Sequence, residues 1–222
     1  MMRCLTIAEK AMKTATVHAF CHKFPDPEDY LDPSSYCLKK DYRGKEYTAN
    51  LIRLLSTLQG IRDGRGDRRP YNEHYRKKYG FVPLWVVANA LTFGNMSHFY
   101  SLQKTGVQNE TCHLICKSID RDVISAKSLR GIYSTLTAFR NTCAHGGRLF
   151  CKRSGKHGDK RFVDMLNDLS TVSTRMEMDA TVISIMQSLS TLEEVDGLRS
   201  LVEKEMGLTE TKMMKLLECP CG

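Results

Sequence analysis

Proline and glycine are scarce in this chain, with six and fifteen among 222 residues. Several long segments contain neither, so the punctuation of a turn-rich architecture is missing and helices are favoured. Long apolar runs are missing too. The most apolar stretch, Phe81 to Leu91, falls short of the roughly 20 residues that span a bilayer. No secretory leader is expected, because Arg3, Glu9, Lys10 and Lys13 interrupt any apolar segment at the start. Nine cysteines are present, an odd count without a disulfide-like framework. With no export signal they read as reduced thiols, and a cytoplasmic location is expected. There is no G-x4-GK[ST], no G-x-G-x-x-G after a strand and no H-E-x-x-H, which argues against nucleotide hydrolysis, dinucleotide chemistry and metalloprotease activity. No internal repeat or low-complexity tract occurs.

What is present is ordinary globular material, 41% hydrophobic and 26% charged, enough to bury a core. The length allows one large domain or two small ones, at about 150 residues per domain. The formal charge of +8 is unevenly spread. Residues 38–78 hold twelve Lys and Arg against five Asp and Glu, and residues 140–161 hold seven against one. Residues 162–222 reverse the balance, with five against eleven. That pattern fits a basic face for a polyanion beside an acidic tail, or equally a solvated basic surface with no partner.

Periodicity predicts a succession of helices, an all-α fold. A helix over 5–22 leads into a loop marked by Pro25, Pro27 and Pro33. Over 45–62, Leu51, Leu54, Leu55, Leu58 and Ile61 share one face. A basic turn covers 63–70, and a short helix from Tyr71 to Tyr79 stops at Gly80. From Pro83 a helix apolar nearly all round is expected to run to about Leu102 at the core centre, with Gly94 allowing close approach of a neighbour. Helices near 109–120 and 127–145 follow. Beyond a basic loop come four more near 162–174, 178–189, 191–206 and 209–217, the third preceded by a capping-box spacing at Ser190 and Glu193.

The helix at 127–145 carries the most information. Leu129, Ile132, Leu136, Phe139 and Cys143 form one apolar seam. At about 100° per residue, Asn141 and His145 point away from that seam and neighbour each other one turn apart, while Arg140 lies on its flank. The core does not need these polar residues, and Gly146-Gly147 ends the helix beside them. A histidine in a last turn can simply interact with the helix dipole. The chemistry nonetheless suits RNA cleavage without a metal. Histidine exchanges protons near neutral pH. A guanidinium offers two parallel donors to a phosphate gaining charge. Asn141 can orient the imidazole or hold a phosphate oxygen, and the RNA 2′-hydroxyl supplies the nucleophile.

Arg140-Asn141-x-x-x-His145 matches the R-x4-6-H signature of the HEPN superfamily. The longer string Arg140 to Phe150 (RNTCAHGGRLF) resembles a segment of the Abi-like family of phage abortive-infection proteins, of the AbiD/AbiF type. His74 to Gly80 (HYRKKYG) and Pro83 to Tyr100 (PLWVVANALTFGNMSHFY) resemble that family's middle segments, so the likeness covers about residues 70–150. The resemblance implies a HEPN-like helical bundle over 1–162, with acidic C-terminal helices (163–222) packed on the same domain. It implies a homodimer in which two motif copies face each other to form one ribonuclease site. Arg140 and His145 would be catalytic, Asn141 supporting, and Arg148 a structural or phosphate-contacting neighbour. Such proteins cut RNA during phage infection, and some are associated with a small noncoding RNA. The chain departs from the family in two places. It is expected to start inside the family's pattern, after the several dozen residues that usually precede the segment Arg3 to Cys21 resembles, and Phe150-Cys151-Lys152 stands where Trp and Asn often follow the R-L pair.

The expected function is therefore a metal-independent endoribonuclease of anti-phage defence, with no cofactor. RNA would be held by the basic stretches, through Arg68, Arg69, Tyr71, Arg76 and Lys77 in the first and Arg148, Lys152, Arg153 and Lys156 in the second. The alternatives are a non-catalytic module holding a structured noncoding RNA and a helical regulator of a partner protein. Other constellations read as structural. Cys112, His113 and Cys116 lack zinc-knuckle spacing. His18 and His22 lack a third ligand, and His98 reads as a core histidine. Tyr75 and Tyr79 read as packing their helix onto the core, and Cys219-Pro220-Cys221 as a frayed tail.

Overall fold

The structure is a computed structural model and describes residues 1–65, 70–194, 197–209 and 211–212. The described residues form ten α-helices: α1 (Met2–Lys23), α2 (Tyr47–Arg62), α3 (Pro70–Tyr79), α4 (Leu84–Val87), α5 (Phe93–Ser101), α6 (Thr105–Ser118), α7 (Ala126–Ala144), α8 (Phe162–Ser170), α9 (Arg175–Ser190) and α10 (Leu198–Met206). Among them there is no strand, only the isolated bridges Tyr36–Gln103 and Ser154–Lys160. The all-α expectation holds. No helix among the described residues is long and apolar enough to cross a membrane.

The chain divides into two compact units. One comprises Met1–Ala11, Ser118–Arg121 and Gly131–Gly222, the other Met12–Lys117 and Asp122–Arg130. In the first, Leu5, Leu136, Phe139, Phe162, Met165, Leu166 and Val182 are buried. Two helix starts are closed by side-chain hydrogen bonds, reciprocally at α9 and in one direction at α8. Glu177 N–H donates to Thr174 Oγ1, and Thr174 N–H to the Glu177 carboxylate. At α8, Asp164 accepts from Arg161 N–H at 2.8 Å. These bonds satisfy backbone donors at the starts of the two helices.

In the second unit the proline-marked loop does more than connect. It forms two 3-10 turns, Asp29–Leu31 and Pro33–Ser35, and buries Tyr30 and Tyr36 completely or nearly so. Tyr30 donates to Val82 O at 2.8 Å, and Tyr36 donates to Tyr30 O at 2.6 Å. Phe20 and Phe99 pack against each other and against Tyr36. Arg62, at the end of α2, grips Glu28 with Nε and Nη2. Gly80 follows α3 with φ +79, the left-handed stop expected of it.

Four local readings need correction. The helix expected from Pro83 to Leu102 is broken. After α4 and a 3-10 turn at Ala88–Ala90 the chain is extended at Leu91, and Thr92 restarts it by accepting from Asn95 N–H. An N-capping threonine outweighs apolar continuity there. Nor is that segment wholly buried, since Trp85 stands exposed. His98 is exposed as well, because the turn at Leu91 changes which face of α5 meets the core. Finally, Ser190 does not open α10. It is the last residue of α9, its hydroxyl donates to Gln187 O, and α10 begins only at Leu198 after Gly197 at φ +73. Most of the helix expected over 209–217 lies outside the described residues.

Burial raises the phenolic pKa of Tyr30 above its ordinary value, with the nearby Glu28 carboxylate adding to the effect. A raised pKa contributes stability that is complete below about pH 10 and is lost as pH climbs through the folded-state value. Tyr30→Phe should therefore lose about 1–2 kcal/mol at neutral pH, from the Val82 carbonyl left without its donor. It should also show a shallower fall in stability above about pH 10. Urea titrations across that range check both, and parallel wild-type and variant curves would contradict the alkaline part.

Candidate functional site

Helix α7 ends in a way its last residues dictate. Gly147 N–H donates to Thr142 O at 2.8 Å and Gly146 N–H to Cys143 O at 3.2 Å, with Gly146 at φ +68. This is the paired closure of a Schellman turn, which satisfies the last carbonyls of a helix. Both glycines are required. Gly146 occupies the left-handed region, and a Cβ on Gly147 would meet Thr142 Cγ2 at 2.7 Å. His145 is thereby placed at the cap position, its N–H still bonded to Asn141 O at 3.1 Å. Asn141 and His145 are exposed, whereas Ile132, Leu136 and Phe139 of the seam are buried and Cys143 is half-buried.

Arg140 occupies the flank, as its wheel position predicts, but it is not simply presented to solvent. Its Nε donates to Glu9 Oε2 at 2.9 Å. Glu9 comes from α1 and is only 7% exposed, the one buried carboxylate among the described residues. A carboxylate in that setting needs a cation and hydrogen bonds to remain charged. Arg140 provides one, and its two Nη groups make no hydrogen bond to any described residue. The arginine is thus anchored at one edge of its plane and open at the other. Glu9 was not singled out from sequence. The available signal was its spacing, since Glu9 lies four residues after Leu5 and three before Met12, both of them buried.

The basic loop after α7 is partly neutralised by its own unit. Arg153 donates to the Glu205 carboxylate at 2.8 Å and to Glu205 O at 3.1 Å. Lys160 joins Asp168 at 2.6 Å and Thr135 Oγ1 at 2.9 Å. Arg148 and Lys156 are exposed and Lys152 is half-buried. Those three, with Arg161, are the cations of the loop that no described carboxylate pairs. Leu149 and Phe150 line an apolar cleft of about 350 Å³ with Ile185, Leu189 and Met206, which holds the loop next to the motif.

The remaining candidates belong to the other unit. Arg76 is half-buried and donates to Arg62 O at 3.1 Å. Lys77 is exposed and pairs with Glu73, and Tyr71 is half-buried. Arg68 and Arg69 lie outside the described residues. The sulfurs do not form a ligand set, since Cys112 and Cys116 are buried and His113 on the same helix is exposed. Burial also raises the Cys112 thiol pKa. His18 and His22 stack on the surface at 6.5 Å. Cys219 and Cys221 lie outside the described residues.

A family model described as Abi-like protein matches residues 1–151, a span that includes Glu9, Arg140, Asn141, His145 and Arg148. Neither a curated protein nor a solved structure matches the chain.

The ion pair has a consequence for mutagenesis. Arg140→Ala strands the Glu9 carboxylate in the interior and should destabilise the protein by about 2–3 kcal/mol. Adding Glu9→Gln should recover roughly 1 kcal/mol of that loss, since the stranded charge is gone. Denaturant unfolding of the wild type, both single variants and the double variant measures the coupling. Strict additivity would mean that the pair contributes nothing.

Proposed function

The chain belongs to the Abi-like protein family, associated with abortive infection, and from that premise we propose that it is a metal-independent endoribonuclease acting in anti-phage defence. The observation that carries the reading is the end of α7. There an imidazole and an amide stand in solvent at a glycine-closed cap, beside an arginine whose Nη groups meet no hydrogen-bond partner among the described residues. This is the arrangement expected of the HEPN type of site.

In the proposed reaction the RNA 2′-oxygen attacks the adjacent phosphorus as its proton passes to a base, and the bond to the 5′-oxygen breaks as that oxygen is protonated. The products are a 2′,3′-cyclic phosphate and a 5′-hydroxyl. His145 moves protons, and the two Nη groups of Arg140 receive the phosphate oxygens as their charge grows. Glu9 fixes the guanidinium plane by holding Nε, so the other edge is presented without reorganisation. Asn141, one helical turn before His145, supports the imidazole or the phosphate. One histidine cannot serve both as base and as acid in a single displacement. A homodimer that brings a second His145 to the same phosphate supplies the other role. Arg148, Lys152 and Lys156 hold the flanking backbone.

The purified protein should cleave single-stranded RNA in EDTA and leave cyclic phosphate ends. His145→Ala should reduce the rate by about 10²–10⁴-fold, the range for removing a general acid or base. Arg140→Lys, which keeps a cation for Glu9, should fold normally and still lose most activity because an ammonium lacks the bidentate fork. Full cleavage by both variants sinks the assignment. Salt-dependent RNA binding with no product favours the non-catalytic RNA-holding module instead.

A further inference from the structure

The chain has a single tryptophan, and it is not in the core. Trp85 is 52% exposed, while Leu84, Val86 and Val87 around it are buried. The ring of Tyr75 meets it edge-on, with centroids 5.2 Å apart and planes at 87°. Tyr75 continues to Tyr79 at 5.4 Å, and Tyr79 is itself 48% exposed. His74 and Phe81 flank Tyr79 at 6.2 and 6.1 Å. The described residues thus carry a ledge of aromatic rings with two large ones half in water. Packing α3 onto the core accounts for Tyr75, but not for the exposed faces of Tyr79 and Trp85.

Two further observations indicate what the ledge takes. Cations border it: Lys78 Nζ stands 5.2 Å from the Tyr79 centroid, and Lys77 beside it in sequence is exposed in a surface pair with Glu73 that a phosphate can replace. The stretch 38–78, which runs in sequence up to Tyr79, has the highest net positive count of the three charged stretches. A neutral apolar partner or a second, equally basic copy would have to bury or face those charges, whereas a polyanion is attracted by them. Trp85 also lines a cleft of about 360 Å³ with Val17, His18, Cys21 and Ala88. That volume lies within the range of small-ligand pockets, roughly 300–1,000 Å³. Its walls combine an aromatic plane, apolar surface and a polar imidazole.

We propose that this ledge and cleft bind unpaired nucleobases of single-stranded RNA, one base lying against Trp85 in the cleft and a neighbour on Tyr79, with Lys77 and Lys78 on the intervening phosphates. Stacking on exposed rings beside a cationic track is how single strands are held without sequence readout. A duplex cannot use such a ledge, because its bases are already stacked on each other. The site is distinct from the α7 motif and does not depend on the protein being a nuclease.

Because position 85 holds the only tryptophan, its emission reports the ledge directly. The full chain is titrated with 2′-O-methyl oligonucleotides of uridine and of adenosine, which lack the internal nucleophile and cannot be cut. Saturable quenching of Trp85 is expected, with none from a duplex of the same backbone. Anisotropy of a labelled strand should show binding weakened by about 5- to 100-fold in Trp85→Ala, as stacking of about 1–3 kcal/mol per base implies, and largely restored in Trp85→Phe. Should Trp85→Ala fail to fold, Tyr79→Ala, altered at an exposed ring, should show a loss of the same order. His145→Ala should quench like the wild type, which separates this site from the cleaving reading. The proposal is overturned by unchanged emission at saturation, by equal quenching from duplex, or by undiminished binding in a folded ledge variant. It is also overturned by emission that shifts with protein concentration alone, which would mean a second copy covers the ring.

Discussion

A carboxylate removed from water has to be met by a cation, and in this protein that requirement decides where a motif residue sits. Glu9 is buried on α1, and Arg140 of α7 answers it through Nε. Two helices far apart in sequence are thereby tied within one unit, and the guanidinium is held in a single plane. A long arginine left in solvent would sample many rotamers, and ordering them at the moment of reaction is unfavourable. The bond engages Nε alone, so the proposed phosphate contact through the two Nη groups is compatible with the structural ion pair.

The second constraint is the end of the helix. Schellman closure at Gly146 and Gly147 satisfies the terminal carbonyls and stops α7 at His145. The loop that comes next contributes less positive charge than its composition implies. Glu205 engages Arg153 and Asp168 engages Lys160, so the acidic C-terminal segment consumes part of the basic stretch. The cations of that stretch left without a described carboxylate are Arg148, Lys152, Lys156 and Arg161, a smaller set placed close to the motif in the chain.

In the other unit the cations are arranged differently. Arg62 and Arg76 are turned into structural hydrogen bonds, and Lys78 near the end of α3 stands by the Tyr79 ring. The two basic stretches therefore offer different chemistry. One places guanidinium and imidazole groups beside a helix end, suited to phosphate. The other places rings beside ammonium groups, suited to the faces of bases.

Local pattern was enough for most elements. The seam Leu129–Ile132–Leu136–Phe139, the stop at Gly80 and the outward direction of Asn141 and His145 each follow from side-chain period or from glycine's freedom, which need no distant partner. The class of fold and the family motif belong to the same legible part. Tertiary contacts decided the rest. They set Glu9 opposite Arg140 across 131 positions, took Arg153 and Lys160 out of the basic surface, buried Tyr30 and Tyr36 in a loop, and left Trp85 in solvent beside Tyr75. Periodicity reports which face of an element is apolar, but not which other element meets it. An ion pair or a ring contact depends on that meeting, and only the folded chain brings it about.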